Sequence, residues 1–467
     1  MPKSLKSSGD DQEIGRVPSH AGEMLETKVT THDAVFGEIT EEGPNYRNVG
    51  RLGTAGLMMK TQIGLGVLSI PSVFDALGII PGVILLCVIG GITTWSDYIV
   101  GIFKLRHPEV YGIDDVGRLI FGRIGREVMT VAFCLMFTFG AASAILGISV
   151  ALNSLSTHAA CTAIFVAVAA IFAFVFGSIQ TLGRISMLAW IGVSSIVIAV
   201  FTITIAVGIQ DRPAAAPSGP WKSDYELFKQ PSFNEAMSAL TTIIFAYCGT
   251  PAFFNIVAEM RDPQHYTQAL VICQTTISLA YIVVGVVVYY FCGSYVASPA
   301  LGSAGPLIKK VSYGIALPGL LVSAMLMIHL PAKFIFIRVL RGSKHLTANT
   351  SVHWMTWIGI TLLTTVIAYV IASGIPIFGE LIALVGALLG PLMSFIPMGC
   401  MWLFDNWSRE HDGDRLFRWR AGVAWSVFVI VSGTFLTIAG TYSSISIIVE
   451  SSSKSGVWSC ADNSNSV

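Results

Sequence analysis

Eleven apolar stretches recur along the chain, at residues 52–74, 79–103, 128–152, 161–179, 187–209, 236–259, 268–296, 314–339, 353–373, 377–403 and 421–448. Each approaches or exceeds the roughly 20 residues a helix needs to cross about 30 Å of hydrocarbon. None shows the ten-residue alternation of a transmembrane strand. A soluble core cannot absorb so many long runs. Only 12% of the 467 residues are charged, about half the share usual in soluble domains. The chain therefore reads as an all-α polytopic membrane protein with eleven transmembrane helices.

Formal net charge is zero, which gives no electrostatic reason for a nucleic-acid partner. The eight cysteines contain no CxxC pair, so neither a metal site nor any cofactor is expected. Cys161, Cys292 and Cys460 fall near outer span ends, where one disulfide among them is allowed. Residues 1–50 are polar, without an apolar signal-peptide region, and read as a disordered cytosolic tail. Lys3, Lys6 and Lys28 offer sites for ubiquitin-dependent turnover there, a merely solvated tail being the alternative.

Lysine and arginine set the orientation. The links after even-numbered spans carry Lys104, Arg106, Arg118, Arg123 and Arg126, then Arg184, Arg261, Arg341 and Lys344, and finally Arg409, Arg415, Arg418 and Arg420. The links after spans 1, 3 and 9 carry none. Lys309 and Lys310 oppose the trend. The balance places the N-terminus in the cytosol and, after eleven spans, the C-terminus outside. Both sequons, at Asn349 and Asn406, then face the cytosol.

Two spans are interrupted. Span 1 contains KTQIGLGVLSIP (residues 60–71), and span 6 contains Tyr247-Cys248-Gly249-Thr250-Pro251 at its centre. Glycine weakens a helix by about 1 kcal/mol relative to alanine, and proline removes a backbone donor. Gly64 and Gly66 alone are equally explained by close helix packing. A matching break five spans later changes the weighing, because five is odd and the second set of five inserts upside down. Broken helices at corresponding places in inverted halves mark transporter binding sites. Bare main-chain groups there hold both charges of a zwitterion.

Neither a GxxxxGK[ST] phosphate loop nor a clustered nucleophile and base occurs, which argues against a primary pump and against an enzyme. A channel and a transporter-like nutrient sensor are the remaining rivals.

At IGLGVLSIP and FAYCGTPAFFNIVAEMRDP the sequence resembles the amino acid/auxin permease family, and within it the fungal neutral amino acid permeases. DAVFGEITEEGPNYRNVG in the tail resembles the fungal members too. The resemblance implies the 5+5 inverted repeat of the amino acid–polyamine–organocation superfamily, with helices 1 and 6 discontinuous. The partition is then a first five-helix repeat (51–209), an extracellular loop (210–235), a second repeat (236–403), a cytosolic link with helix 11 (404–448) and a C-terminal tail (449–467). It also implies proton-coupled symport of neutral amino acids, aliphatic or aromatic, across the plasma membrane, with vacuolar export as the alternative. The partners are then the substrate, protons and the lipid bilayer.

Carried over by position, backbone at Ile63, Gly64, Leu65 and Gly66 would hold the substrate carboxylate. Carbonyls at Phe245, Ala246 and Tyr247 would take the ammonium, with Gly249 and Thr250 closing the other half of span 6. Tyr247 and Phe253 would help select the side chain. Lys60 departs from the sodium-coupled members of this superfamily, whose corresponding stretch helps to cage the ion. Its ammonium either replaces that sodium or snorkels to the cytosolic interface.

Other intramembrane ionisable groups are functional candidates by default. Glu259 suits a salt-bridged cytosolic gate or proton work. Glu380 and His329 are proton-relay candidates, His329 having a packing role as its alternative, and Asp97 and Lys333 complete the set.

Overall fold

The computed structural model describes residues 31–33, 37–39, 49–180, 182–213, 215–217, 220–343, 345–346, 350–375, 377–407, 414–452, 458 and 460–464. Lys3, Lys6, Lys28 and Asn349 lie outside the described residues. In the tail, Thr31–Asp33 (β1) pairs antiparallel with Gly37–Ile39 (β2).

The other named elements are helices. Span 1 is two helices, Arg51–Gln62 (α1) and Leu65–Leu77 (α2), bent by 46°. Ile79–Arg106 (α3) follows, then Ile113–Ser156 (α4). α4 begins fifteen residues before the third apolar stretch, because most of the link after span 2 is itself helical. Asp114 and Asp115 sit in its first turn, where carboxylates complement the helix dipole. At Gly122 the backbone leaves helical geometry with φ 69°, and there the link helix turns into the span. Thr162–Gly177 (α5) and Leu182–Ile209 (α6) complete the first half.

Span 6 is also divided, into Phe233–Tyr247 (α7) and Thr250–Ala258 (α8). Ser232 and Glu235 form a reciprocal capping box at its start. Tyr266–Cys292 (α9), Pro306–Leu340 (α10) and Ser351–Gly374 (α11) are unbroken. Span 10 is divided as well, into Phe378–Leu388 (α12), Gly390–Ser394 (α13) and Ile396–Asn406 (α14), with a 46° bend. Asp414–Ser452 (α15) ends the bundle.

Among the described residues eight helices are long and apolar enough to cross a membrane, or ten when each bent pair is one span. The fourth apolar stretch forms α5, whose 16 residues fall short by length. The architecture is the expected helical bundle, and the count of eleven stays an expectation.

α4, α10 and the two halves of span 6 are mostly buried in protein, while α11 and α15 turn most of their apolar surface outward. Val431, Phe435, Ile438 and Leu363 are more than half exposed. Such surface is unfavourable in water and suits lipid. Span 1 packs between α6 and α9, against α7, at the centre of the bundle.

The ends of the chain are tied to opposite ends of the bundle. Val49 N–H donates to Glu259 O (3.2 Å), and Arg261 N–H donates to Val49 O (2.9 Å), beneath α8. At the other end Cys161 is disulfide-bonded to Cys460, and Cys292 is a free, buried thiol. Asn463 there accepts from Asn153 (2.7 Å) and donates to Ser149 Oγ (3.1 Å), and Lys309 Nζ donates to Ser464 O. Lys310 donates to Thr157 Oγ1 (2.6 Å). The two lysines that opposed the charge rule are therefore engaged at this end, Lys309 beside Asp462 as well. Residues 226–229 lie against the turn between α2 and α3, where Lys229 pairs with Asp75 at 2.9 Å.

Candidate functional site at the paired helix breaks

The breaks in spans 1 and 6 meet in the buried centre. A Cβ on Gly66 would lie 2.6 Å from Ala246 Cα, and one on Gly249 would lie 2.6 Å from Thr61 Oγ1 and 3.0 Å from Gln62 Cγ. Only glycine lets the two backbones approach this closely. Each break is thus held against the other by one glycine from each span.

Several main-chain carbonyls around the breaks already accept one hydrogen bond. Tyr281, from α9, places its hydroxyl 3.0 Å from Gln62 O and 2.9 Å from Ala246 O. Its one proton is shared between a carbonyl of each broken span. Phe245 O accepts from Cys248 N–H (3.0 Å), and Tyr247 O accepts from Gly249 N–H (2.8 Å). All three carbonyls proposed for an ammonium therefore have one donor, and each keeps a second lone pair. Gly64, Leu65 and Gly66 open α2, where first-turn N–H groups lack intrahelical acceptors.

Polar side chains collect here. Both amide atoms of Gln62, both of Asn255 and the Thr250 hydroxyl are buried without a hydrogen-bond partner. Such orphans are rare in folded proteins, and a cluster of them marks a place built to receive something polar.

Lys60 is 1% exposed, so it does not snorkel. Its ammonium donates to Ile63 O (3.1 Å) and to Ser323 Oγ (2.7 Å) on α10. Ser323 in turn donates to Gly319 O (3.1 Å). The lysine stem passes Gly192 of α6, where a Cβ would come within 2.9 Å of Cε. A cation is thereby fixed at the joint of spans 1, 5 and 8, three residues before the break begins at Ile63.

Glu259 closes the end of span 6 that pairs with Val49. Its partner is Lys333 of α10, at 2.6 Å and with both side chains buried, rather than the adjacent Arg261. Breaking a buried pair by removing one partner costs about 3–5 kcal/mol, whereas an apolar replacement of both is close to neutral. We expect Lys333→Met to lower the melting temperature of the detergent-purified protein sharply. The Glu259→Leu/Lys333→Met double variant recovers most of that loss. Thermal scanning of the three proteins checks this.

The match to the family described as "Transmembrane amino acid transporter protein" spans residues 50–446 and includes both breaks. The chain belongs to the transmembrane amino acid transporter family. This transporter is 34% identical, over 98% of its length and 97% of the relative's, to a "Transmembrane transporter" of Gibberella moniliformis. It is 30% identical, over 94% of its length and 92% of the relative's, to the "N amino acid transport system protein" of Neurospora crassa. Among solved structures it resembles Mhp1, a nucleobase-cation-symport-1 family transporter, with TM-score 0.53 at 12% identity, covering 95% of this chain and all of that one. A Na+-coupled sialic acid symporter aligns with TM-score 0.52 at 12% identity, covering 90% of this chain and 92% of that one. At that identity the likeness establishes the fold: a bundle of the kind those transporters share.

The remaining sequence candidates of this transporter lie further out. Tyr247 turns its ring toward α3 and α9, bonding Ser278 Oγ at 2.9 Å and meeting Tyr281 edge-on. Phe253 folds back on Gly249 of its own break. Glu380 lines a cavity of about 290 Å³ with Ser69 and Ser72 of α2 and Glu235 and Thr242 of α7. His329 is fully buried and edge-on to Trp357 at 5.5 Å. Ser323 and Tyr281, which bind the two breaks to their neighbours, were not among the sequence candidates. Each was visible only as one polar residue within an apolar run.

Proposed function

We propose that this chain is a secondary active carrier that imports neutral amino acids, aliphatic or aromatic, in symport with protons and without sodium. The observation that carries the reading is the close contact of spans 1 and 6 where each is broken, at Ile63–Gly64 and Cys248–Gly249, amid the unpaired polar atoms of Gln62, Thr250 and Asn255. Amides opening α2 suit a carboxylate, and the spare lone pairs of the span 6 carbonyls suit an ammonium. The Neurospora relative's name supports an amino acid as cargo.

Lys60 supports sodium independence. Its ammonium rests on a span 1 carbonyl and a span 8 hydroxyl, oxygen ligands of the kind that hold a hard cation. A bound metal ion and this ammonium cannot share the place. One of the structural neighbours is, by its title, Na+-coupled; here a covalently attached charge stands in. Proton symport then supplies the energy, because one charge falling through 100 mV gives about 2.3 kcal/mol. That equals roughly fortyfold accumulation of a zwitterion. The disulfide at the end opposite Val49 suits an oxidising exterior and so a plasma-membrane protein with a cytosolic N-terminus.

The test is radiolabelled uptake in transporter-deficient cells, competed by all twenty amino acids while pH and sodium are varied. We expect saturable uptake competed by neutral amino acids, rising as external pH falls and unchanged when choline replaces sodium. Uptake that needs sodium, or that never saturates, overturns the reading.

A further inference from the structure

Asp97 is a buried acid that the scheme above does not use. It lies nine residues from the inner end of α3, about 13 Å into the helix, and is 0% exposed. Oδ2 accepts from Gln274 Nε2 of α9 at 2.5 Å. Oδ1 has no partner, and neither has Oε1 of Gln274. Tyr266, one helical stretch earlier on α9, donates its hydroxyl to the Asp97 backbone carbonyl at 2.9 Å. Thr250, the first residue of the inner half of span 6, lies beside the carboxyl.

Among the described residues no salt bridge reaches Asp97. The titratable groups that face it are the Tyr266 phenol and the Cys273 thiol from α9 and the Cys248 thiol from the span 6 break. Charged side chains on neighbouring elements are committed elsewhere. Lys104 of α3 donates to Pro108 O and Val110 O, and Glu259 of α8 pairs with Lys333. Lys60 is held by Ile63 O and Ser323. An ionised carboxylate with one amide donor, in hydrocarbon, is costly by several kcal/mol. One proton on the carboxyl removes that charge and provides the donor that two partnerless acceptors lack.

We propose that the Asp97 carboxyl, set between Gln274 and the first turn of α8, is the proton-binding site that couples the proton gradient to transport. It rests on the proton-symport reading and names its site. A proton passes from external water to the carboxylate oxygen, and the same O–H bond breaks to return it to cytosolic water. Ionised, Asp97 draws the Thr250 hydroxyl and Gln274 amide toward itself; neutral, it releases the inner half of span 6 to rearrange around substrate.

The test uses full-length protein in liposomes, with a radiolabelled neutral amino acid. We expect wild type to show both counterflow exchange and accumulation driven by an inward proton gradient. Asp97→Asn retains exchange, which needs no net proton movement, and loses gradient-driven accumulation by at least tenfold. Gradient-driven accumulation by Asp97→Asn within twofold of wild type overturns the assignment and leaves proton symport standing. Exchange without gradient-driven accumulation in wild type overturns proton symport, and this site with it. Should Asp97→Asn fail to insert, Gln274→Leu decides. Removing the donor disfavours the ionised carboxyl, so its pH of half-maximal uptake moves upward by half a unit or more, and an unmoved profile overturns the proposal.

Discussion

Lys60→Met abolishes uptake, by at least a hundredfold, while the protein still reaches the membrane. Methionine keeps an unbranched stem that fits past Gly192, so packing along α6 changes little. What disappears is the ammonium that joins Ile63 O to Ser323 Oγ. Two buried oxygens lose their donor, and a charge-assisted hydrogen bond is worth about 1.5–3 kcal/mol each. A loss of two such bonds uncouples span 1 from span 8 next to the break and removes the positive charge beside the Gly64–Gly66 amides. The measurement is initial uptake rate normalised to surface-labelled protein. Normal sodium-free uptake by Lys60→Met would end the idea that a lysine takes the place of the cation.

Gly66→Val has a comparable effect through sterics alone. Its Cβ would sit 2.6 Å from Ala246 Cα and 2.9 Å from Ala246 Cβ. Neither is the far end of a flexible side chain, so the backbones of both broken spans must separate. The Tyr281 bridge that shares one proton between Gln62 O and Ala246 O is then lost. We expect transport below one hundredth of wild type. Gly91→Val, at a position with open space around it, is the control and stays within twofold.

The two breaks were legible because glycine and proline stand out in apolar runs whatever the helix rotation. Lys60 was legible for the same reason: a charge in an apolar run has nowhere neutral to hide. Its acceptor was not, since Ser323 lies 263 residues away and only the rotation of α10 about its axis brings the two together. The same holds for Tyr281 over the breaks and for Gln274 against Asp97, where the acid was noted and its partner was not. The bend in span 10 did leave a signal. Gly390-Pro391 follows Gly386, much as Pro251 follows Gly249, and Gly386 presses against the Thr241 carbonyl of span 6. Lengths of links were least legible, because Ile113–Gly122 carries enough charge to resemble a loop while folding as the first turns of α4.

The central claim is that bare main chain at paired breaks holds the two charges of an amino acid. The direct measurement is competition against uptake of the best neutral substrate by three compounds: leucine, leucinamide, which lacks the carboxylate, and 4-methylpentanoate, which lacks the ammonium. Both truncated compounds should compete at least a hundredfold more weakly than leucine. If either competes as well as leucine does, recognition rests on the side chain, and the helix breaks are not the binding site.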